Sequence, residues 1–361
     1  MAGIKDVAEK AGVSISTVSN VINGTKYVSN ELKLKINKVI EELHYEVDPV
    51  ARSLKSKKTK TIGVVITNVN RIFFPQVMKG IQDSAAKSGY SLTFCNTNDD
   101  FEDEKRFVQM LESTWVDGII LDSVAGIDDE KYFKYLSSLG SKKKAIPVIS
   151  LERREDTFGI DSVVVNNFLG GSMATRHLIE CGCKNIVHIT GPLSSCIVQD
   201  RLNGYKVELE REGLEIKAER IAEGDYSPLS GYHAMRQILL TGLDVDGVFA
   251  ANDQMAIGAI KAIRENGLRI PEDIKVVGFD NTFVASLIEP SLTTINVPKY
   301  KMGVAAVELL IKRIEQENGS GGDNDSSSSS TGSEVVELPI NLILRQSTDL
   351  RGDRNWDLYG W

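Results

Sequence analysis

The chain is short of cysteine, histidine and proline, and it has no long apolar run. Four cysteines in 361 residues are too few for a disulfide framework, so reduced thiols are expected. No stretch of about 18 apolar residues occurs, which excludes a membrane-spanning helix on sequence grounds. The first residues, MAGIKDVAEKAGVS, are charged and amphipathic. They lack the basic run and apolar block of a secretory signal, so a cytoplasmic location and no membrane partner are expected. The four histidines, His44, His177, His188 and His233, stand in no catalytic constellation. Cys181 and Cys183 form a lone C-x-C, short of the four ligands of a structural zinc site. G-x-G-x-x-G, Walker and G-x-S-x-G patterns are missing. No catalytic residue, metal or cofactor is therefore expected, and an enzyme is disfavoured.

What is present is an ordinary balance of 42% hydrophobic and 25% charged residues, long enough for two or three domains. The net charge of −8 speaks at first against a nucleic-acid partner. It averages two unlike regions. Residues 1–60 hold eleven basic and seven acidic side chains, a net +4, and the remainder holds 31 and 43, a net −12. A basic head on an acidic body points to a DNA-facing end.

From Thr61 onward, short β-branched runs alternate with amphipathic segments. TIGVVIT (61–67), SLTFCNT (91–97), GIILD (118–122) and PVISL (147–151) read as buried strands, with helices over 75–88 and 102–113. NIVHIT (185–190), RIAEG (220–224), GVFAAN (247–252) and KVVGFD (275–280) repeat the pattern, with helices over 203–211, 230–240 and 253–266. Such alternation predicts parallel sheets covered by helices, here two doubly wound α/β lobes in succession with a cleft between them. Ligands of such folds bind beyond the carboxyl ends of strands. Polar residues fall there at Asn68, Asn96, Asp122, Glu152, Asn252 and Asp280. A helix over 301–317 and a strand-like run over 334–344 flank the low-complexity residues 318–333, which have too little apolar content to pack.

At the other end, Ile4, Val7, Ala8 and Ala11 share a helical face. Gly12 is suited to end that helix, and Ser14 to cap a second running to about Val21. Ser29 caps a third, with the stripe Leu32, Ile36, Val39, Ile40 and Leu43. Two short helices about a glycine turn make a helix-turn-helix. Its second helix would present Ile15, Ser16, Thr17 and Asn20 to the major groove.

With these residues in view, the sequence resembles the lactose-repressor (LacI/GalR) family of bacterial transcription regulators. The likeness is carried by IKDVAEKAGVSISTVSNVING (4–24), DPVARSLKSKKTKTIGVV (48–65), ANDQMAIGA (251–259), IPEDIKVVGFDN (270–281) and PSLTTINVP (290–298). It implies a DNA-binding head over 1–46 and a hinge helix and linker over 47–60. A two-lobed sensor like periplasmic sugar-binding proteins follows over 61–348, then a tail over 349–361. It also implies a homodimer on operator DNA. In the hinge, VARSLK (50–55) is too short to be a stable helix alone. The family places Leu54 as a minor-groove wedge, with Ala51 beside it, and Arg52, Lys55, Lys57 and Lys58 suit phosphate contacts. In the cleft the resemblance carries over Arg201, Asn252 and Asp280 as effector contacts. Phe73, Phe74 and Tyr226 offer aromatic faces to a sugar ring or a flat base. Glu152 and Asn166 each stand where the family commonly has Asp. No leucine heptad closes the chain, so nothing supports a coiled-coil tetramer.

The resemblance implies a repressor controlled by a small effector, a sugar such as ribose or, as alternatives, a purine corepressor or catabolite-control input. From a different class, a cytoplasmic sugar-binding protein without DNA activity is the rival, disfavoured by the intact head.

Overall fold

The computed structural model describes residues 2–23, 26–45, 59–141, 144–319, 332–353 and 355–356. The chain divides into two units, Met1–Thr59 and Lys60–Trp361. In the first, helices span Ile4–Ala11, Ile15–Asn23 and Asn30–Glu42. Gly12, at φ +65°, ends the first helix and donates its N–H to the carbonyls of Ala8 and Glu9. Ser14 Oγ accepts from the Thr17 N–H at 3.2 Å, and Ser29 Oγ from the Leu32 N–H at 3.4 Å. These caps fix where each helix starts. Val7, Ala8, Ala11, Val18, Ile36 and Val39 form the core, with Val21, Leu32, Ile40 and Leu43 packed against it. Lys10 and Glu42 pair at 2.9 Å and tie the first helix to the end of the third.

The second unit contains fourteen strands among its described residues. In chain order they are β1 Thr61–Ile66, β2 Ser91–Asn96, β3 Gly118–Leu121, β4 Gly140–Ser141, β5 Lys144–Ala145, β6 Val148–Leu151, β7 Asp161–Val165, β8 Ile186–Thr190, β9 Ile221–Glu223, β10 Gly247–Ala250, β11 Lys275–Asp280, β12 Thr293–Asn296, β13 Val335–Leu338 and β14 Asn341–Ile343. One sheet has the order β13-β7-β6-β3-β1-β2 and the other β14-β12-β11-β10-β8-β9, while β4 and β5 make a small ribbon. The first sheet is wholly parallel; in the second only β14 runs antiparallel, against β12. Two helix-covered α/β lobes result, as the alternating pattern implied.

The lobes are not simply successive. The chain crosses from the first to the second between Val165 and Asn167, returns between Asn296 and Lys299, and crosses again between Leu338 and Asn341. The helix Lys299–Gly319 packs on the first-lobe helix Phe74–Lys87, and β13 completes the first sheet. Residues 334–344, read as one strand, are therefore two strands in two sheets. Pro339 lies between them, and without an N–H it cannot continue a ladder. The helix expected over 203–211 starts at Cys196; Asn203 and Gly204 inside it read locally as breakers. Strands β7 and β12 had no sequence expectation, while the helix expected to end just after His177 spans Asn167–Glu180. Among the described residues no helix is long and apolar enough to cross a membrane.

Three helix pairs cross on reciprocal glycines. A Cβ on Gly80 would lie 2.1 Å from the Tyr300 oxygen, and one on Gly303 2.1 Å from that of Val77. Gly171 and Gly204 relate the helices Asn167–Glu180 and Cys196–Arg211 in the same way, and Gly231 and Gly258 the helices Pro228–Leu240 and Asp253–Glu265. These helices touch backbone to backbone.

Candidate effector cavity and DNA-reading helix

The carboxyl ends of the strands in both sheets open on one cavity of about 240 Å³. All seven cleft residues singled out from the sequence, Phe73, Phe74, Glu152, Arg201, Tyr226, Asn252 and Asp280, line it. Phe73 and Phe74 stand where β1 runs into its helix, their rings edge to face at 5.4 Å. Both are almost fully buried.

Arg201 is 3% exposed. Its Nε donates to Asn167 Oδ1 at 2.9 Å, its Nη1 to the Ala251 carbonyl at 2.5 Å, and its guanidinium lies 3.7 Å over the Phe279 ring. Its protein partners are thus neutral, which leaves its charge directed to what shares the cavity. Asn167 positions it, while Asn166 caps the helix by accepting from the Leu169 N–H at 2.9 Å. Asn252 spends its carboxamide oxygen on the Met255 N–H at 2.8 Å and an N–H on the Tyr226 carbonyl at 3.0 Å. It caps a helix and anchors the Tyr226 loop.

The cavity is rich in carboxylates. Asp99, Asp122, Glu152, Asp225 and Asp280 line it against Arg71, Arg153 and Arg201. Arg71 is taken up by Asp99 at 2.5 Å and Thr67 Oγ1 at 2.9 Å, and lies 4.6 Å over the Tyr226 ring of the other lobe. Arg153 pairs with Glu155 and donates to the Ala125 carbonyl at 2.5 Å. Asp122 accepts from Thr67 Oγ1 at 2.7 Å. Among the described residues no protein group donates to the carboxylates of Glu152 or Asp280. Burial, then the nearby Asp122 charge, raises Glu152 to about 8. Burial raises Asp280 to about 7 against the pull of Arg201. Glu152, Tyr226 and Asp280 also hold positive φ angles of 61°, 69° and 101°, a conformation costly for residues with a Cβ and concentrated at ligand sites.

Sequence reasoning missed Arg71, Thr67, Asp99, Asp225 and Asn167, and noted Asp122 only as a strand end. Of the other strand-end residues, Asn68 donates to Asp99 at 2.7 Å and Asn96 accepts from the Val69 N–H at 2.8 Å, so they organise the loop that carries Arg71. Gln254 reaches across the cleft, accepting from the Ile72 N–H at 2.9 Å. No group of three or more His, Cys, Asp or Glu among the described residues is placed to hold a metal.

In the first unit, Ile15 and Ser16 are exposed at the start of the second helix, while Thr17 and Asn20 are half-buried. Thr17 Oγ1 shares a hydrogen bond with Ser14 Oγ at 2.9 Å. The hinge residues Ala51, Arg52, Leu54, Lys55, Lys57 and Lys58 lie outside the described residues, as do 320–331 and the final Tyr359 and Trp361.

Residues 3–48 match the bacterial regulatory proteins of the lacI family, and residues 175–348 match a periplasmic binding protein-like domain. The chain is 35% identical over 351 residues to the HTH-type transcriptional repressor PurR of Pasteurella multocida, covering 97% of this chain and all of that protein. It is 34% identical over 348 residues to the ribose operon repressor of Halalkalibacterium halodurans, covering 96% and 97%. Among solved structures it resembles the Lac repressor dimer bound to operator and the anti-inducer ONPF, with a TM-score of 0.82, 30% identity and coverage of 96% and 99%.

Proposed function

The chain belongs to the lacI family of bacterial regulatory proteins and is a DNA-binding transcriptional repressor with a ligand-binding domain, and from that premise we propose that its effector is a small neutral sugar, with ribose the leading candidate. The observation that carries this reading is the pair Glu152 and Asp280, two cavity carboxylates to which no described protein group donates, facing the Arg201 guanidinium. Ionised or protonated, each of these carboxyl groups keeps acceptor capacity, and vicinal hydroxyls both donate and accept, so a polyol matches either state. Arg201 accommodates ligand oxygens, and Phe73, Phe74 and Tyr226 offer the apolar faces that sugar rings pack against. The named relatives divide between purine and ribose repressors, and the cavity volume suits either ligand. The acidic lining favours the polyol.

The same proposal assigns Ile15, Ser16, Thr17 and Asn20 to base edges and phosphates, and Leu54 to a wedge between base steps, in a homodimer on a two-fold operator. The sugar must bind the DNA-competent and incompetent states unequally, since equal binding shifts nothing.

Calorimetric titration with D-ribose, other pentoses, hypoxanthine and guanine tests the ligand. A pentose is expected to bind and to release the protein from a fragment of its own promoter in a gel shift. Purine binding without pentose binding overturns the sugar reading. R201A is expected to retain operator binding and lose the sugar response, and a normal response would remove Arg201 from the site.

A further inference from the structure

Lys299 is 3% exposed although it begins a helix. It stands at the second crossing between lobes, and the two ends of its surroundings belong to different bodies. The helix it begins packs on the first lobe, held to the helix Phe74–Lys87 through the backbone contacts of Gly80 and Gly303. Its ammonium reaches the other way, into the second lobe, where it donates to the carbonyls of Asp280, of Asn281 at 2.9 Å and of Val297 at 3.3 Å. A buried ammonium is costly unless it is partnered. Here main-chain oxygens receive it, and the carboxylates of Asp253 and Asp280 lie within its field.

The turn it grips is the one that presents Asp280 to the cavity. Asp280 and Asn281 both hold positive φ, 101° and 50°, so the turn needs support from outside its own backbone. Asp253 supplies part of it, accepting from the Thr282 N–H at 2.6 Å and Oγ1 at 2.9 Å. Arg345 supplies another part, donating to Asn281 Oδ1 at 2.8 Å and to the Leu292 carbonyl at 3.0 Å. Asp253 sits between β10 and β11 and Arg345 just beyond β14, all in the second sheet. Of these three supports, Lys299 is the one whose backbone starts a first-lobe helix.

We infer that Lys299 is a positioning residue for the effector: it holds Asp280 in its cavity-facing conformation and ties that conformation to the first lobe through the helix it begins. A relative movement of the lobes displaces the Lys299 backbone against the 280–281 carbonyls, so the geometry of Asp280 and the opening of the cleft are set together. The inference rests on the reading that Asp280 contacts the effector.

The test uses the full chain and four variants, K299M, K299R, D280N and K299M/D280N. D-ribose is titrated by calorimetry, with hypoxanthine as a second arm. Operator affinity by gel shift and thermal unfolding are followed in parallel. K299M is expected to weaken ribose binding by about tenfold or more and to blunt release from operator, while sugar-free operator affinity stays within about twofold. K299R, which keeps the charge and several donors, is expected to recover most of the binding. In the D280N background K299M should add less than about twofold, because two residues acting through one contact are not additive. Unchanged ribose affinity in K299M, or losses that multiply in the double variant, overturns the inference. D280N without effect strikes the premise and the inference with it; a D280N loss beside an unaffected K299M strikes the inference alone. Should K299M fail to fold, K299Q, which keeps a neutral donor, carries the same expectations. If the wild type binds hypoxanthine and not ribose, the sugar reading falls and the variants are scored with hypoxanthine.

Discussion

Glu104 shows how one side chain can serve the cavity without touching it. It lies on the helix Phe101–Ser113, fully buried, and accepts from Ser123 Oγ and the Val124 N–H, both at 2.7 Å. Ser123 and Val124 line the cavity, so Glu104 fixes the loop that forms one wall. Burial raises its pKa to about 7, against the pull of its hydrogen bonds. In the unfolded chain it titrates near the ordinary 4.5. Below that value both states are protonated and nothing is lost. As pH rises from there, the unfolded chain ionises first and is favoured, and the loss is complete once the folded carboxyl ionises near 7. Asp280, raised to about 7, and Glu152, raised to about 8, act in the same direction. Glutamine at 104 can still accept from Val124 and donate to Ser123. Urea midpoints at pH 5 and pH 8 should therefore fall more in the wild type than in E104Q, the difference amounting to at most about 3 kcal/mol. Identical pH dependence in the two proteins would show that Glu104 does not carry this load.

At the scale of elements, the glycine crossings decide how the helices assemble. Alanine for glycine inside an ordinary helix gains about 0.5–1 kcal/mol. At Gly258 and Gly303 the sign reverses, because the new Cβ would fall 1.9 Å and 2.1 Å from the Pro228 and Val77 oxygens. G258A and G303A should each destabilise the chain by about 1–3 kcal/mol in urea melts, the usual penalty of overpacking; a neutral result would mean that the pairs separate without cost. The same glycines mark the limit of what was legible in the sequence. Short apolar and β-branched runs located β1, β2, β3, β6, β8, β10 and β11, and helical periodicity located several of the helices between them. They did not give the start of Asn167–Glu180, where Gly170 and Gly171 interrupt the apolar face, and they failed for β12, whose TTIN is mostly polar. The seven cleft residues were readable because strand ends and long motifs mark them. Arg71, Asn167 and Lys299 were not, because their roles arise only when a distant loop or crossing meets the cavity.

For the molecule as a whole, the split of charge sets how DNA is held. Residues 1–60 carry +4 and the rest −12, so the acidic part repels phosphates and the head and hinge must supply the neutralising contacts. Each phosphate neutralised contributes about −0.9 to the slope of log affinity against log salt. Arg52, Lys55, Lys57 and Lys58 are expected to act in this way, and Leu54 differently. K57Q/K58Q removes two lysines from each protomer of the dimer, four contacts in all, so it should reduce the slope by about 3.6 and weaken all sequences alike, since phosphate contacts position the protein without reading bases. L54A removes an apolar group that would open a base step, and it exchanges no counterion. It should weaken the operator complex with little change in slope, and it should leave effector affinity intact because the cavity is built from residues beyond Lys60. Filter binding across a salt series, on operator and on unrelated DNA, separates the two effects. A slope unchanged in K57Q/K58Q would remove those lysines from the phosphate contacts, and full operator affinity in L54A would remove the wedge.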